Sequence, residues 1–389
     1  MSSWVKNGEE RCSVMKINLF TSSEFPKTYA VINQALDRKL FPGVVIGLWQ
    51  AQSPESVFLQ AWGYRREVPS ALPMFIDTSF DLASLTKVLA TAALTARLVD
   101  RGWISWDTPV SSIFPEFLSR EVRIRHLLSH TAGLAAWKPF WQDIRTQFSP
   151  TLLPQIPIEI RQAAMRQLIL SQVPDHPVGS QAVYSDLSFL LLGFVLEEIT
   201  QLPLDQAVAR WIWKPMGVEG LSFHRVIGSA EDQRLSQVAA TEACSWRGGV
   251  LQGQVHDDNC WAMGGYGGHA GVFGDAFSIL QFVSQMWSGF FSQDTLSAFF
   301  TRVAQPKDST RTLGWDTPSA QASSAGKYFS KYSVGHLGFT GTSLWIDLEA
   351  KLSITVLTNR VHPCRDRSEL KVFRPLIHDA LREDLVKRV

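Results

Sequence analysis

A serine and a lysine three residues apart, Ser84 and Lys87, are the residues in this sequence best suited to covalent chemistry. A serine hydroxyl is a weak nucleophile at neutral pH and needs a base within hydrogen-bond reach. On a helix, residues three apart project from the same side, which places the amine beside the hydroxyl. Such pairs also arise by chance, in which case Ser84 is an ordinary helix cap and Lys87 a surface residue. The pair predicts nucleophilic catalysis only if the surrounding elements agree.

The stretch after the lysine, residues 88–99, predicts a buried helix. It contains strong helix formers, lacks Pro and Gly, and is apolar almost all round. Lys87 then stands at the start of a helix inside a core. Because burial and the positive end of the helix dipole both disfavour a charged amine, we expect the pKa of Lys87 to be lowered toward neutrality.

A second polar group, Tyr184-Ser-Asp186, precedes an apolar segment predicted to be helical over residues 187–200. A tyrosine oxygen near a lysine and a serine can pass a proton from the nucleophile to the leaving group. The alternative is structural: Asp186 caps the following helix and Tyr184 packs at its entrance. Taken alone, this segment favours the structural interpretation.

A third segment, Gly335-His-Leu-Gly-Phe-Thr-Gly-Thr342, lies at the start of a predicted strand. Its glycines would let a substrate approach the backbone closely, and an exposed amide N–H there could serve an oxyanion hole. A plain glycine-rich turn into a strand explains the same residues equally well.

Other polar groups point to structural roles rather than to metal or nucleotide binding. His126 and His130 are four residues apart, but the stretch lacks the acid and third ligand that a zinc site requires. Residues 265–270 fit a dinucleotide fingerprint without its strand-to-helix context. A further polar cluster is expected to order a loop or line a cleft: His256, Asp257, Asp258 and His269.

Net charge, cysteine spacing and apolar segments indicate which kinds of binding partner and which cellular compartment the sequence favours. The 389 residues carry a formal net charge of +1, which argues against nucleic acid or an anionic membrane as partner. The four cysteines show no paired spacing, so we expect free thiols, as in a reducing compartment. The N-terminus lacks an apolar signal core, and the aliphatic run at 187–195 is too short to span a bilayer. As the sequence stands, it predicts a soluble, cytoplasmic protein.

The predicted elements suggest an α/β (α+β) fold in which an antiparallel sheet is built from the two chain ends. A mainly helical lobe, residues 105–305, is inserted into a sheet lobe of residues 1–104 and 306–389, with the site in the cleft between them. Residues 305–332 are expected to be a long exposed connection. The predicted strands are residues 43–50, 57–63, 338–348 and 352–358, and the predicted helices include residues 26–38, 122–129, 158–172, 187–200, 204–213, 277–286 and 368–388.

Together the segments resemble the serine β-lactamase and penicillin-binding-protein superfamily, in its class C β-lactamase-like branch. The likeness extends over residues 28–385, and residues 254–271 look most similar to penicillin-binding-protein-4B-like members. Because the segments occur in the family's order and at its intervals, the match is far more specific than any one motif. The matching segments are Phe80–Lys87, Ile124–Leu134, Tyr184–Asp186, Gly335–Asp347 and Thr355–Arg360.

The resemblance implies a β-lactamase/transpeptidase-like fold and a serine hydrolase that forms an acyl-enzyme. Ser84 would attack a carbonyl carbon, Lys87 would take its proton, and Tyr184 would relay it to the leaving group. The backbone N–H groups of Ser84 and Phe339 would form the oxyanion hole. No metal or cofactor is implied, and the expected partner is a small-molecule or peptidoglycan-peptide substrate. Since the family's cell-wall members mostly act outside the cytoplasm, the resemblance leaves a periplasmic or other extracytoplasmic location open beside the cytoplasmic one.

Two departures from the family pattern lie among the expected substrate-binding residues Asp186, His336 and Gly338. Asp186 stands where the family has Asn, which removes an amide donor to the substrate and adds an acceptor that can instead hold Lys87. His336-Leu337-Gly338 stands where the family has Lys-Thr-Gly. Leu337 cannot bind a substrate carboxylate, and a histidine is only partly charged at pH 7. We therefore expect weak or absent β-lactamase activity and hydrolysis of esters or of D-alanyl peptides. The alternative is a non-catalytic member that binds peptidoglycan fragments or a protein partner.

Overall fold

A sheet of seven strands, contributed by both ends of the chain, forms the centre of the protein. The computed structural model describes residues 15–226, 237–366 and 369–386. The strand order is β1-β3-β2-β12-β11-β10, with β4 paired to β3; β1 runs parallel to β3 and the other pairs are antiparallel. These strands are β1 (Lys16–Leu19), β2 (Gly43–Gln50), β3 (Ser56–Arg66), β4 (Leu72–Pro73), β10 (Val334–Leu337), β11 (Thr342–Asp347) and β12 (Leu352–Thr358).

Most helices come from the chain between β4 and β10, together with two small sheets. The α-helices are α1 (Pro26–Asp37), α2 (Ala93–Asp100), α3 (Ile124–Leu128), α4 (Phe140–Phe148), α5 (Ile158–Leu170), α6 (Asp186–Thr200), α7 (Leu204–Val208), α8 (Asp258–Ala262), α9 (Ala276–Trp287), α10 (Gln293–Phe300) and α11 (Leu370–Val386). The small sheets pair β5 (Phe80–Asp81) and β6 (Ser222–Phe223) with β9 (Val272–Gly274), and β7 (Ala240–Cys244) with β8 (Gly249–Gln252).

Strand β2 shows why the sheet is covered on both faces. Its side chains alternate, so Val44, Ile46 and Leu48 join the apolar cluster under α1 and α11. Val45 and Trp49 belong instead to the larger cluster that includes α9 and the inserted helices. A strand buried on both faces is a continuous apolar run, as the sequence of β2 is. The predicted fold class is confirmed, whereas the exact lobe boundaries stay a prediction.

The structure corrects two of the expected elements. The strand expected at 338–348 begins only at Thr342, because Gly341 adopts φ +113° in a turn that joins it to the unpredicted strand β10. Residues 305–332 form no helix or strand, as expected, but they are not simply exposed. Thr312 and Trp315 are fully buried within this connection.

The helix predicted after Ser84 is irregular at its start. A 3-10 turn at Ala83–Leu85 leads into a π-helical segment, Lys87–Ala92, which continues as α2. π-Helical turns inside helices are frequent at functional sites. The segment is nonetheless buried throughout, as its composition predicts.

Helix α6 and the cysteines are the parts of the described structure that concern membrane insertion and disulfide bonding. Among the described residues no single helix is long and apolar enough to cross a membrane, although α6 and the following Leu204–Trp213 segment, bent by 69°, pass such a test as a pair. Cys244, Cys260 and Cys364 are free thiols. Cys12 and the polar N-terminal segment lie outside the described residues.

Candidate active site

Lys87 and Ser84 meet in the arrangement expected of a nucleophile and its base. The Lys87 Nζ lies 2.8 Å from the Ser84 Oγ, 2.6 Å from Asp186 Oδ1 and 3.1 Å from the backbone oxygen of His269. The lysine side chain is fully buried, while Ser84 is partly exposed. Three acceptors match the three N–H donors of an ammonium group, so the amine is held in one position beside the hydroxyl.

The strand residue Asp81 fixes the backbone that carries Ser84. Its buried carboxylate accepts hydrogen bonds from the Ala83 N–H at 2.9 Å and the His256 N–H at 2.6 Å, and its carbonyl accepts one from Thr340 Oγ1 at 2.7 Å. Ala83 adopts φ +47°, a conformation that costs a residue with a side chain about 1–3 kcal/mol. The contacts around Asp81 hold this strained turn, which presents Ser84 to the cleft.

The charge state of Lys87 differs from the expectation. Burial does favour the neutral amine, but the Asp186 carboxylate and Tyr184 outweigh it, and the pKa of Lys87 is raised above its ordinary value. The predicted lowering of this pKa is therefore wrong for the resting enzyme. The reason is the acid at position 186, where the resemblance expects an amide.

Tyr184 lies on the loop that enters α6, with its ring centroid 4.9 Å from Lys87 Nζ. Ser185, rather than Asp186, caps α6 by accepting a hydrogen bond from the Ser188 N–H at 3.1 Å. The Ser185 N–H donates in turn to His130 Nδ1 at 3.0 Å. The alternative in which Asp186 is the helix cap is thus wrong, and His130 holds the tyrosine loop.

The glycine-rich segment places His336 and Phe339 in different environments. His336 belongs to β10 and is buried 5.9 Å from the Tyr184 ring, between their centroids. Burial, and then the nearby charges of Lys87 and Arg311, lower its pKa well below the ordinary value, so it is neutral at pH 7. Phe339 lies in the turn after β10 and is half exposed, at 52%.

One cavity of about 510 Å³ brings these residues together. Ser84, Tyr184, His336, Gly338 and Phe339 all line it, and the buried Lys87 contacts Ser84 and Asp186. A larger cavity of about 810 Å³ lies between α9, α10 and β11 and contains none of the expected site residues. The smaller cavity is therefore the candidate active site.

The sequence analysis missed the basic residues around this cavity. Arg311, from the connection before β10, places its Cζ 5.2 Å from the Tyr184 ring centroid and Nη1 3.4 Å from Asp316. Residue spacing gave no signal for this convergence, since the contributing segments are far apart in the chain. The basic residues that line the cavity are Arg311, Arg360, Arg365, Lys371 and Arg374, and the acidic ones are Asp316 and Asp366.

The cluster of histidines and aspartates orders the floor of the cleft. His269 Nε2 lies 2.9 Å from Asp257 Oδ1, which also caps α8, and the His269 carbonyl contacts Lys87. His256 Nε2 lies 3.0 Å from Glu242 Oε2, and its ring stacks on Phe339 with 5.7 Å between centroids. Within the described ranges, no group of three or more His, Cys, Asp or Glu residues could hold a metal ion.

Comparison with known proteins agrees with this geometry. The sequence profile of the β-lactamase family matches residues 30–378. A putative D-alanyl-D-alanine carboxypeptidase of Salmonella agona (strain SL483) is 31% identical over 342 residues, which cover 79% of this chain and 76% of the relative.

Two solved structures share the fold at low sequence identity. EstCE1, described as a hydrolase with promiscuous acyltransferase activity, superposes with a TM-score of 0.71 at 21% identity, covering 92% of this chain and 98% of its own. A penicillin-binding protein homologue from Caulobacter crescentus gives 0.67 at 16% identity, covering 93% and 97%. The chain belongs to the β-lactamase family, within the superfamily of serine β-lactamases and penicillin-binding proteins, and it is a serine hydrolase of that type.

Proposed function

We propose that Ser84 is the nucleophile of this hydrolase and that Lys87 is its general base. The observation that carries the proposal is the 2.8 Å contact between Lys87 Nζ and Ser84 Oγ at the base of an open cavity. A structural lysine needs no such contact with a partly exposed serine. The ring of Tyr184 lies 4.9 Å from the same amine, which supports a role for Tyr184 in passing a proton onward to the leaving group.

The reaction then proceeds through an acyl-enzyme. Ser84 Oγ bonds to the substrate carbonyl carbon while its proton passes to Lys87, and the N–H groups of Ser84 and Phe339 stabilise the oxyanion. The leaving group departs with a proton relayed through Tyr184, and water, activated by the same groups, cleaves the acyl-enzyme. Because Asp186 raises the pKa of Lys87, the amine must first lose a proton, and activity should rise with pH.

The charge of the cavity favours substrates that carry an anionic group. Five basic residues line it against two acidic ones, although the family lysine is replaced by the neutral His336. A D-alanyl peptide with a free terminal carboxylate fits this charge, in line with the name of the Salmonella relative. Such a peptide is our first choice of substrate.

Ester hydrolysis is the second candidate, and a specific observation favours it. Leu337 lines the cavity where the family has a hydroxyl that contacts the substrate carboxylate. An apolar side chain at this position suits an uncharged acyl or alcohol group. EstCE1, which has the same fold, is described as a hydrolase and acyltransferase.

Covalent labelling tests the proposal. Wild type, Ser84→Ala and the control Ser112→Ala would be incubated with a fluorescent penicillin and with an activated short-chain ester, then analysed as intact proteins and peptides by mass spectrometry. Ser112 is an exposed serine whose hydroxyl donates to the Pro109 carbonyl at 2.7 Å, so its loss should change nothing. We expect an adduct or turnover in wild type and Ser112→Ala that disappears in Ser84→Ala.

Two other outcomes would overturn the proposal. An adduct that persists in Ser84→Ala would place the nucleophile elsewhere. No adduct and no turnover in wild type would favour the alternative, a protein that binds peptidoglycan fragments or a partner. Comparing acyl-D-alanyl-D-alanine with its C-terminal amide separates the substrate classes, since only recognition of a carboxylate predicts a preference for the free acid.

A further inference from the structure

Arg374, on helix α11, contacts the backbone turn that carries the proposed oxyanion-hole residue Phe339. Its Nη2 donates hydrogen bonds to the carbonyl oxygens of Gly338 at 2.9 Å and Thr342 at 3.1 Å. These two carbonyls flank the turn of residues 339–341 on either side. The arginine side chain is almost completely buried, at 8% exposed, so both bonds are shielded from water.

The positive charge of Arg374 is directed at this backbone rather than at an acid. Burial, and then the neighbouring Arg360, lower its pKa to about 10, which leaves the guanidinium charged at neutral pH. In the part of the chain that the structure describes, no carboxylate forms an ion pair with Arg374. A buried cation without a counter-charge is costly, and hydrogen bonds to carbonyl dipoles are what compensate it here.

The bonded carbonyl of Gly338 belongs to the same peptide unit as the Phe339 N–H. That peptide is trans, so its C=O and N–H point in opposite directions. With the oxygen directed at Arg374, the N–H must point away from α11. The peptide also lies against the nucleophile's segment, because a Cβ built on Gly338 would be only 2.7 Å from the carbonyl oxygen of Leu82.

A cation at a carbonyl oxygen has a second effect on the N–H of the same amide. Hydrogen bonds in a chain polarise one another, and an amide whose oxygen accepts a charged donor becomes a stronger donor through its own N–H. The Phe339 carbonyl is held separately by Arg360 Nε at 3.0 Å, which limits rotation of the next peptide. The turn is thereby fixed from both sides.

We propose that Arg374 is a positioning residue for the oxyanion hole, which it serves by orienting and polarising the Gly338–Phe339 peptide. This inference rests on the proposed function, in which the Phe339 N–H stabilises the oxyanion. It predicts that Arg374 stabilises the transition state through this peptide, an effect separate from the positive charge that the residue adds to the cavity lining.

The test compares Arg374→Met and Arg374→Lys with the control Arg382→Met. Arg382 lies on the same helix and donates from Nη1 to Asp347 Oδ2 at 3.1 Å, at the opposite end of β11 from the turn. Ser84 would first be titrated with a fluorophosphonate, so that kcat refers to folded, active sites. We would then measure kcat and KM for an activated ester and for the thionoester of the same acyl group.

We expect kcat for the ester to fall in Arg374→Met with KM nearly unchanged. Deleting an oxyanion-hole donor outright lowers kcat by about 100- to 1,000-fold, so misplacing one should cost about 10- to 100-fold. The ratio of kcat for the ester to kcat for the thionoester should fall as well. A thiocarbonyl sulfur accepts hydrogen bonds more weakly than an oxygen, so the thionoester loses less from a misplaced donor. Arg374→Lys keeps a buried donor and should retain much of the activity, and it decides the question if Arg374→Met does not fold.

Three results would overturn the inference. Unchanged kcat per titrated site, with an unchanged ester/thionoester ratio, would show that Arg374 is only a packing residue. Equal losses in Arg374→Met and Arg382→Met would point to a general effect of α11 on the sheet. Failure of wild type to label at Ser84 would instead refute the proposed function, and the role of Arg374 with it.

Discussion

Asp186→Asn is the substitution that best tests the proposed role of Lys87. The carboxylate lies 2.6 Å from Lys87 Nζ, and the lysine side chain is fully buried while that of Asp186 is 20% exposed. Asparagine keeps the shape of the side chain and removes its charge, and it is the residue that the family resemblance expects at this position. The variant therefore separates the charge of Asp186 from its packing.

Removal of the charge should move the acidic limb of the kcat/KM profile to lower pH. Burial favours the neutral amine that accepts the Ser84 proton, while Asp186 and, to a lesser extent, Tyr184 raise the pKa of Lys87. Without the carboxylate, burial is opposed mainly by Tyr184, so the pKa should fall. A nearby opposite charge favours the ionised form of a group, so its removal should shift the limb to lower pH. At a fixed pH below both limbs, the rate gains less than the corresponding factor, since a weaker base transfers the proton less readily.

The assay is the pH dependence of ester hydrolysis at constant ionic strength, with Asp107→Asn as the matched control. Asp107 also lies 2.6 Å from a basic nitrogen, that of Arg125, but both side chains are exposed at the surface. Its loss should leave the profile in place. A limb that stays fixed in Asp186→Asn, or moves to higher pH, would refute Lys87 as the base whose protonation limits the reaction.

Three further outcomes are expected. Phe339→Pro deletes the N–H assigned to the oxyanion hole and should lower kcat by about 100-fold or more, whereas Phe339→Ala keeps the N–H and should stay much closer to wild type in the same ester assay. Gly338→Ala would place a Cβ 2.0 Å from Thr342 Oγ1 and 2.7 Å from the Leu82 carbonyl oxygen, and the resulting shift of the turn should lower kcat per titrated site. Burial alone would raise the pKa of Glu242, but the basic neighbours His256 and Arg365 outweigh burial and hold this pKa at about 2. The stability that the ionised Glu242 contributes is therefore lost as pH falls from 4.5 toward 2. In acid denaturation, Glu242→Gln should lose less stability over that interval than wild type.

Much of the fold was predictable because its apolar patterns are regular. Strand β2 begins and ends where the sequence predicts, and α1 differs by one residue at its end. Strand β10 was missed because it has only four residues, one of them glycine, and is recognisable mainly by its pairing with β11. The small polar residues of the preceding connection predict an exposed segment, yet Trp315 in that stretch is fully buried.

The sequence predicts which residues meet at the candidate site, but it does not predict the charge state of Lys87. Spacing and order were enough to bring Ser84, Lys87 and Tyr184 together. The ionisation of Lys87 depends on its 2.6 Å contact with Asp186, and residue spacing does not show how strongly that contact opposes burial. Burial and nearby charge act in opposite directions on such a group, so the sign of its pKa shift follows only from coordinates.

The replacement of the family lysine by His336 has a physical consequence for the whole site. Burial, and then repulsion from Lys87 and Arg311, lower the pKa of His336, so this histidine is neutral at pH 7. Arginine remains charged under all ordinary conditions, and Arg311 lies against the Tyr184 ring. The positive charge of the cleft therefore comes from the connection before β10, from the segment after β12 and from α11, rather than from the strand beside the nucleophile. A substrate anion would be bound from the rim of the cavity, which leaves the strand edge, with its neutral His336 and Leu337, to contact uncharged parts of the substrate.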